Sequence, residues 1–188
     1  MTKKVMKHQF INQDFYIPNW KIKFLLLGTF NPSDGEKVNY YYGRTRNQTW
    51  KLLSEIFKVN IETSDPNFIE IIKANGIACM DLIETIEFDI KDNEYVIGKG
   101  YGDSKIINGK VNRKYNTENV IAVKSKNPDV KVYSTWGKGS NLKEWINEVD
   151  KLGSIINLVS PSMAAKVDKG VAKFPYMLND WRNKILYV

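Results

Sequence analysis

Two asparagines, three consecutive tyrosines and a serine pair carry most of the chemistry that this sequence can offer. Asn31 stands in Gly28-Thr29-Phe30-Asn31-Pro32, directly after an apolar run. A glycine there lets backbone amides come close to a ligand, and an asparagine amide can orient a water or hold an amide edge. The same residues also spell an ordinary Asn-Pro turn. Asn47 falls where an amphipathic helix opens, and the free N–H groups and dipole of a helix start favour developing negative charge. It could equally be a capping residue. Tyr40, Tyr41 and Tyr42 sit beside Arg44 and Arg46. A base flipped out of a duplex needs a stacking face and a nearby phosphate clamp, and this stretch could supply both. Alternatively, two of the tyrosines pack in the core and one faces solvent. Ser160-Pro161-Ser162 precedes a basic loop with Lys166, Lys169 and Lys173. Ser162 could bond a DNA phosphate, or the segment is a turn followed by a solvated loop.

Composition narrows the field. Twenty-eight Lys and Arg against twenty-one Asp and Glu give a formal charge of +7. That balance suits a polyanionic partner such as DNA or RNA, although lysine-rich faces that only meet solvent give the same count. The single cysteine, Cys79, rules out an intramolecular disulfide framework and a cysteine-bound iron–sulfur cluster. Its surroundings, GIACMDLI, mark it as core. The single histidine, His8, lies far from the other candidates in sequence, so neither a catalytic triad nor a His-rich metal site is expected. Asp81, Glu84, Glu87, Asp89 and Asp92 form an acidic series that could hold Mg²⁺. The N-terminus lacks the apolar stretch of a signal peptide, and no run approaches the ~20 residues of a membrane span. A cytoplasmic protein is expected, with no membrane association.

Positioning these groups requires strands that end where the loops begin. Ile22 to Leu27 reads as a strand covered on both faces, as in parallel sheets. A helix follows from near Asn47, with Thr45 to Gln48 as a capping box and Trp50, Leu53, Ile56 and Phe57 on one face. Ser64 or Asp65 and Pro66 open a second helix that Gly76 stops. IACMDLI is the second strand and VKVYSTW the third. Between them, residues 88–114 read as an excursion, a β-hairpin or long loop, with a helix around Thr117 to Lys126 after it, capped by Asn116 or Thr117 and ended by Pro128. Gly137-Lys138-Gly139 is a turn, and Ser140 caps a helix closed by Gly153. SIINLVS is the fourth strand and Tyr176 to Leu186 the last helix. Four apolar strands alternating with helices mean an α/β fold with a mainly parallel four-stranded sheet. Residues 1–188 are read as one domain. Open sheets of this kind bind ligands in the crevice outside the carboxyl ends of their strands.

Three of these stretches together resemble the uracil-DNA glycosylase superfamily, closest to its hypoxanthine-DNA and mismatch-specific uracil-DNA glycosylase branches. LLLGTFNPSDG is similar to the first motif of that family, a strand ending in Gly before a Pro-containing loop. YYYGRTRNQTWKLL is similar to its Tyr-Tyr-Ala…Asn-x-Phe-Trp stretch, with Thr49 in place of Phe. NLVSPSMAAKVDKG is similar to the second motif, a strand followed by x-Pro-Ser and a DNA-inserting loop. Two differences stand out: two residues separate Gly28 from Asn31 where the mismatch branch has one, and Ser160 replaces the His or Asn of the classical branches. The resemblance implies a three-layer αβα fold and a monomeric monofunctional DNA glycosylase that needs no metal or cofactor. Its partner would be DNA holding a damaged base of the uracil or hypoxanthine class. It implies Asn47, then Asn31, as catalytic residues, and Gly28, Thr29, Phe30, Tyr41 and Tyr42 as the base pocket. Arg44, Arg46, Ser160, Ser162, Met163, Lys166 and Lys169 would contact DNA, with Met163 filling the vacated stack. A silent DNA-binding protein on the same fold, or a glycosidase of nucleosides or RNA, are the alternatives.

Overall fold

The strand Phe24–Gly28 (β2) lies at the centre of a four-stranded parallel sheet in the computed structural model, which describes residues 2–97, 103–109, 111–137 and 139–187. Ile77–Asp81 (β3) flanks it on one side and Lys131–Ser134 (β6) on the other, with Ile156–Asn157 (β7) outside β6. Registers are parallel throughout, Gly28 opposite Asp81 and Leu27 opposite both Met80 and Ser134. Alternate residues of β2 face two different cores. Leu25 and Leu27 join Ala78, Met80 and Val132 on one face; Leu26 joins Cys79 and Tyr133 on the other. All three leucines are fully buried, each contributing about 1.5–3 kcal/mol of transfer free energy. Burial also pushes the Cys79 thiol well up, as suits a core residue.

Helices Thr49–Phe57 (α1), Phe68–Ala74 (α2) and Lys173–Leu186 (α7) cover the Leu26 face through Leu53, Ile72 and Trp181. Thr117–Lys126 (α5) and Lys143–Asp150 (α6) cover the other through Val120, Val123 and Trp145. Gly76 and Gly153, expected as helix stops, both have left-handed backbone, φ +65° and +71°, which glycine adopts without penalty.

The region read as an excursion, 88–114, links two antiparallel strands of a second sheet. Lys3–Lys7 (β1), Ile83–Asp89 (β4) and Asn112–Tyr115 (β5) are antiparallel in the order β1-β4-β5. Met6, Ile86 and Phe88 pack from it into the Leu25 core. Within the excursion, Asn93–Ile97 (α3) and Asp103–Asn108 (α4) are helices rather than hairpin strands. Residues 98–102 and 110 of this excursion lie outside the described residues. The fourth strand is also shorter than the apolar run SIINLVS, because α7 takes over its end. Asp180 accepts from Val159 N–H at 2.8 Å, Trp181 Nε1 donates to Val159 O at 2.8 Å and Lys184 Nζ donates to Asn157 O at 2.7 Å. The acidic series does not gather into a metal site. Glu87 pairs with Lys3 and Glu84 with Lys114, and no group of three potential ligands forms among the described residues. No described helix is long and apolar enough to cross a membrane.

Candidate active site

Parallel strands deliver their carboxyl ends to one edge, so the loops after Gly28, Asp81, Ser134 and Asn157 share it. Two loops far apart in sequence are stitched together there. Asn47 and Ser162 form an isolated antiparallel bridge; Gln48 N–H donates to Pro161 O at 2.9 Å and Met163 N–H to Arg46 O at 3.0 Å. Lys173 Nζ holds the far side of this loop through Met163 O at 2.8 Å. The capping box does not form. Instead Asn47 Oδ1 accepts from Thr49 N–H at 2.9 Å, and α1 starts at Thr49. That bond turns the Asn47 amide so that its carbonyl oxygen faces the helix and its NH₂ is the group left to a ligand.

Tyr42 links the triple tyrosine to the strand ends. Its φ of +58° is left-handed, at a cost of about 1–2 kcal/mol for a side chain of this size. The turn brings its hydroxyl to 3.1 Å from Thr135 Oγ1. Thr135 Oγ1 itself donates to Leu27 O at 3.1 Å, so the Tyr42 hydroxyl is the donor. Gly28 is needed here for space. A Cβ on it would lie 3.1 Å from the Tyr42 hydroxyl, 3.3 Å from Asp81 Cγ, and well inside contact with Asp81 Oδ1.

Asp81 and His8 form the buried centre behind this edge, with side-chain exposures of 3% and 0%. Phe10 N–H donates to His8 Nδ1 at 3.1 Å, so the ring proton belongs on Nε2, which donates to Asp81 Oδ2 at 2.8 Å. Asn31 Nδ2 donates to the same oxygen at 2.9 Å. Phe10, Tyr16, Phe30 and Tyr41 surround the imidazole, with centroids 5.2–5.8 Å away. The backbone repeats the connection: Gln9 N–H donates to Asn31 O at 2.8 Å and Ser33 N–H to Lys7 O at 3.0 Å. Leu82 N–H and Ile83 N–H bond Gly28 O and Thr29 O, both at 3.0 Å, fixing the loop from the other side.

Of the residues singled out from the sequence, Gly28, Asn31, Tyr42, Asn47, Ser160 and Ser162 lie on the loops of this edge. Arg46, Met163, Lys166 and Lys169 are exposed around it. Arg44 is half-buried, with Nε 4.0 Å from Glu36. Thr29, Phe30 and Tyr41 are buried, so none of them offers a ring or hydroxyl to solvent. Tyr41 is packed edge-on against Phe10 at 4.9 Å, and burial with the nearby Asp81 charge pushes its hydroxyl well up. His8 and Asp81 were not expected as partners in the site. The available signal was alternation: Met6, His8 and Phe10 point inward while Lys7 and Gln9 do not. In comparisons with family models, curated proteins and solved structures, nothing matches the chain.

Proposed function

We propose that this chain is a DNA base-excision glycosylase with a three-layer, uracil-DNA glycosylase-like fold, hydrolysing the N-glycosidic bond of a flipped uracil- or hypoxanthine-class base. The observation that carries the reading is the Asn47–Ser162 bridge. It brings the Tyr-Tyr-Tyr-Gly-Arg stretch and the Ser-Pro-Ser loop together on the sheet edge where Gly28 and Asn31 also stand. As the bond breaks, the sugar gains oxocarbenium character and the base leaves as an anion. Preorganised donors aimed at that anion give the largest acceleration. Asn47, its amide NH₂ turned outward by its bond to Thr49 N–H, is assigned this donor role. Tyr42 supplies an aromatic face beside Gly28. Ser162, Arg46, Lys166 and Lys169 engage backbone phosphates, while Met163, 41% exposed, fills the gap left in the stack.

The test is incubation of purified protein, without added metal, with matched duplexes carrying uracil, hypoxanthine, xanthine or mismatched thymine, followed by alkaline cleavage. Strand breakage at one lesion supports the reading and names the base. Tight, salt-sensitive duplex binding without abasic product from any lesion overturns it in favour of a binding protein. Turnover confined to free nucleosides overturns the DNA assignment.

A further inference from the structure

We infer that Asp81, held by His8, is a positioning residue that fixes the Asn31 amide with its carbonyl oxygen toward the ligand, making Asn31 a hydrogen-bond acceptor at this site. The inference rests on the glycosylase reading for its consequence but on hydrogen-bond inventory for its geometry. Asp81 Oδ2 already accepts the His8 Nε2 proton and so stands as an acceptor. Asn31 must therefore turn its NH₂ toward Asp81 Oδ2, as the 2.9 Å contact requires. The remaining oxygen, Asn31 Oδ1, has no partner among the described residues and is not a buried atom left unsatisfied. Asp81 cannot rotate to offer a different atom, because its Oδ2 also takes the His8 Nε2 proton and Gly28 passes directly under the carboxylate. His8 cannot invert its roles either, since Phe10 N–H occupies Nδ1.

The two asparagines of the edge are thus oriented oppositely by their own neighbours. Asn47 gives its oxygen to Thr49 N–H and presents a donor; Asn31 gives its nitrogen to Asp81 and presents an acceptor. A leaving base anion needs the donor. The acceptor suits the O–H of an attacking water, drawing its hydrogen away so that an oxygen lone pair faces the anomeric carbon. The water's oxygen forms the new C–O bond, the N-glycosidic electrons leave with the base, and the proton passes to solvent or to the departing base. Asp81 touches none of these atoms. Its contribution is to hold Asn31 in one of two orientations.

Three variants separate positioning from packing. In Asp81→Ala the oxygen shared by His8 Nε2 and Asn31 Nδ2 is gone, freeing Asn31 to turn its nitrogen outward. The expected result is a loss of about 10–100-fold in kcat, the size of one charge-assisted hydrogen bond, with duplex affinity changed less than about threefold because phosphates dominate it. His8→Leu is expected to lose kcat similarly. His8→Gln, whose amide nitrogen can replace Nε2 as donor, is expected to recover most of that loss. A merely structural role would lower the melting temperature in all three and leave kcat intact below it. Independently of turnover, the Asn31 side-chain amide protons in the wild-type protein are expected to exchange slowly by NMR. Rapid exchange there overturns the inference, as does wild-type kcat in folded Asp81→Ala. If the wild-type protein processes no lesion, the glycosylase reading fails and the exchange measurement still decides the orientation of Asn31.

Discussion

Gly28→Ala is the most informative single substitution for the geometry behind the site. The glycine backbone is not left-handed, so alanine meets no conformational penalty there; the conflict is one of space. The added methyl would stand 3.3 Å from Asp81 Cγ and inside contact with Oδ1. Asp81 must move, and it is tethered by His8 at 2.8 Å and Asn31 at 2.9 Å. Overpacking a tight site costs about 1–3 kcal/mol, and a hydrogen bond to a charged group is worth about 1.5–3 kcal/mol. Relief by partial rotation, weakening one of the two bonds, gives an expected destabilisation of about 2–4 kcal/mol. For a domain of this size that is a fall of roughly 5–15 °C in melting temperature. Urea titration measures it as a lower midpoint at unchanged slope, and the His8 Nε2 proton resonance should shift with it. A change below about 0.5 kcal/mol with an unmoved His8 signal would refute the claim that Gly28 and Asp81 are packed against each other.

Asn47→Ala removes the side-chain acceptor for Thr49 N–H; the expected cost is about 1 kcal/mol of stability, read by urea titration, together with loss of lesion turnover in the folded variant. Tyr42→Phe deletes the donor to Thr135 and should cost roughly 0.5–1.5 kcal/mol in the same titration. Burial holds the Tyr133 hydroxyl up at about 12, and holds those of Tyr16, Tyr40, Tyr41 and Tyr115 up as well. Because the unfolded chain releases tyrosine protons from about pH 10, stability should be full below that pH and fall as pH rises through 12. At about pH 11 the folded protein should therefore show less tyrosinate absorbance than the same protein in urea. Replacing Arg46 or Lys166 by Ala should reduce the slope of log affinity against log salt by about one each if each contacts a phosphate.

The parallel sheet was legible because its strands are continuous apolar runs, and Leu25, Leu26 and Leu27 could only be buried on both faces. Helix α5, Thr117–Lys126, was legible to within about a residue, since a cap at Asn116 or Thr117 and the stop at Pro128 bracket it. The antiparallel sheet was not. β1 finds its partner β4 far along the chain, Lys3 opposite Asp89 and Lys7 opposite Thr85, and no local pattern announces so distant a pairing. For the same reason His8 looked remote from the site, although Asp81 lies 2.8 Å away. Asn31 and Asn47 could be named from local context alone. Their opposite orientations could not, because each depends on a hydrogen bond that only the folded backbone creates. The triple tyrosine was legible as a choice between stacking and core. Tyr40 and Tyr41 are core, and Tyr42 alone of the three is half-exposed at the edge.

The central claim is that a damaged base enters at the carboxyl edge of the parallel sheet. The most direct measurement is an amide NMR footprint of the protein titrated with a lesion-bearing duplex and with its undamaged counterpart. Lesion-specific shifts should gather at Gly28, Asn31, Tyr42, Asn47 and Ser162. Shifts gathered instead at the opposite edge, in the groove of about 900 Å³ lined by Trp20, Lys126 and Lys131, or shifts identical for the two duplexes, would contradict it.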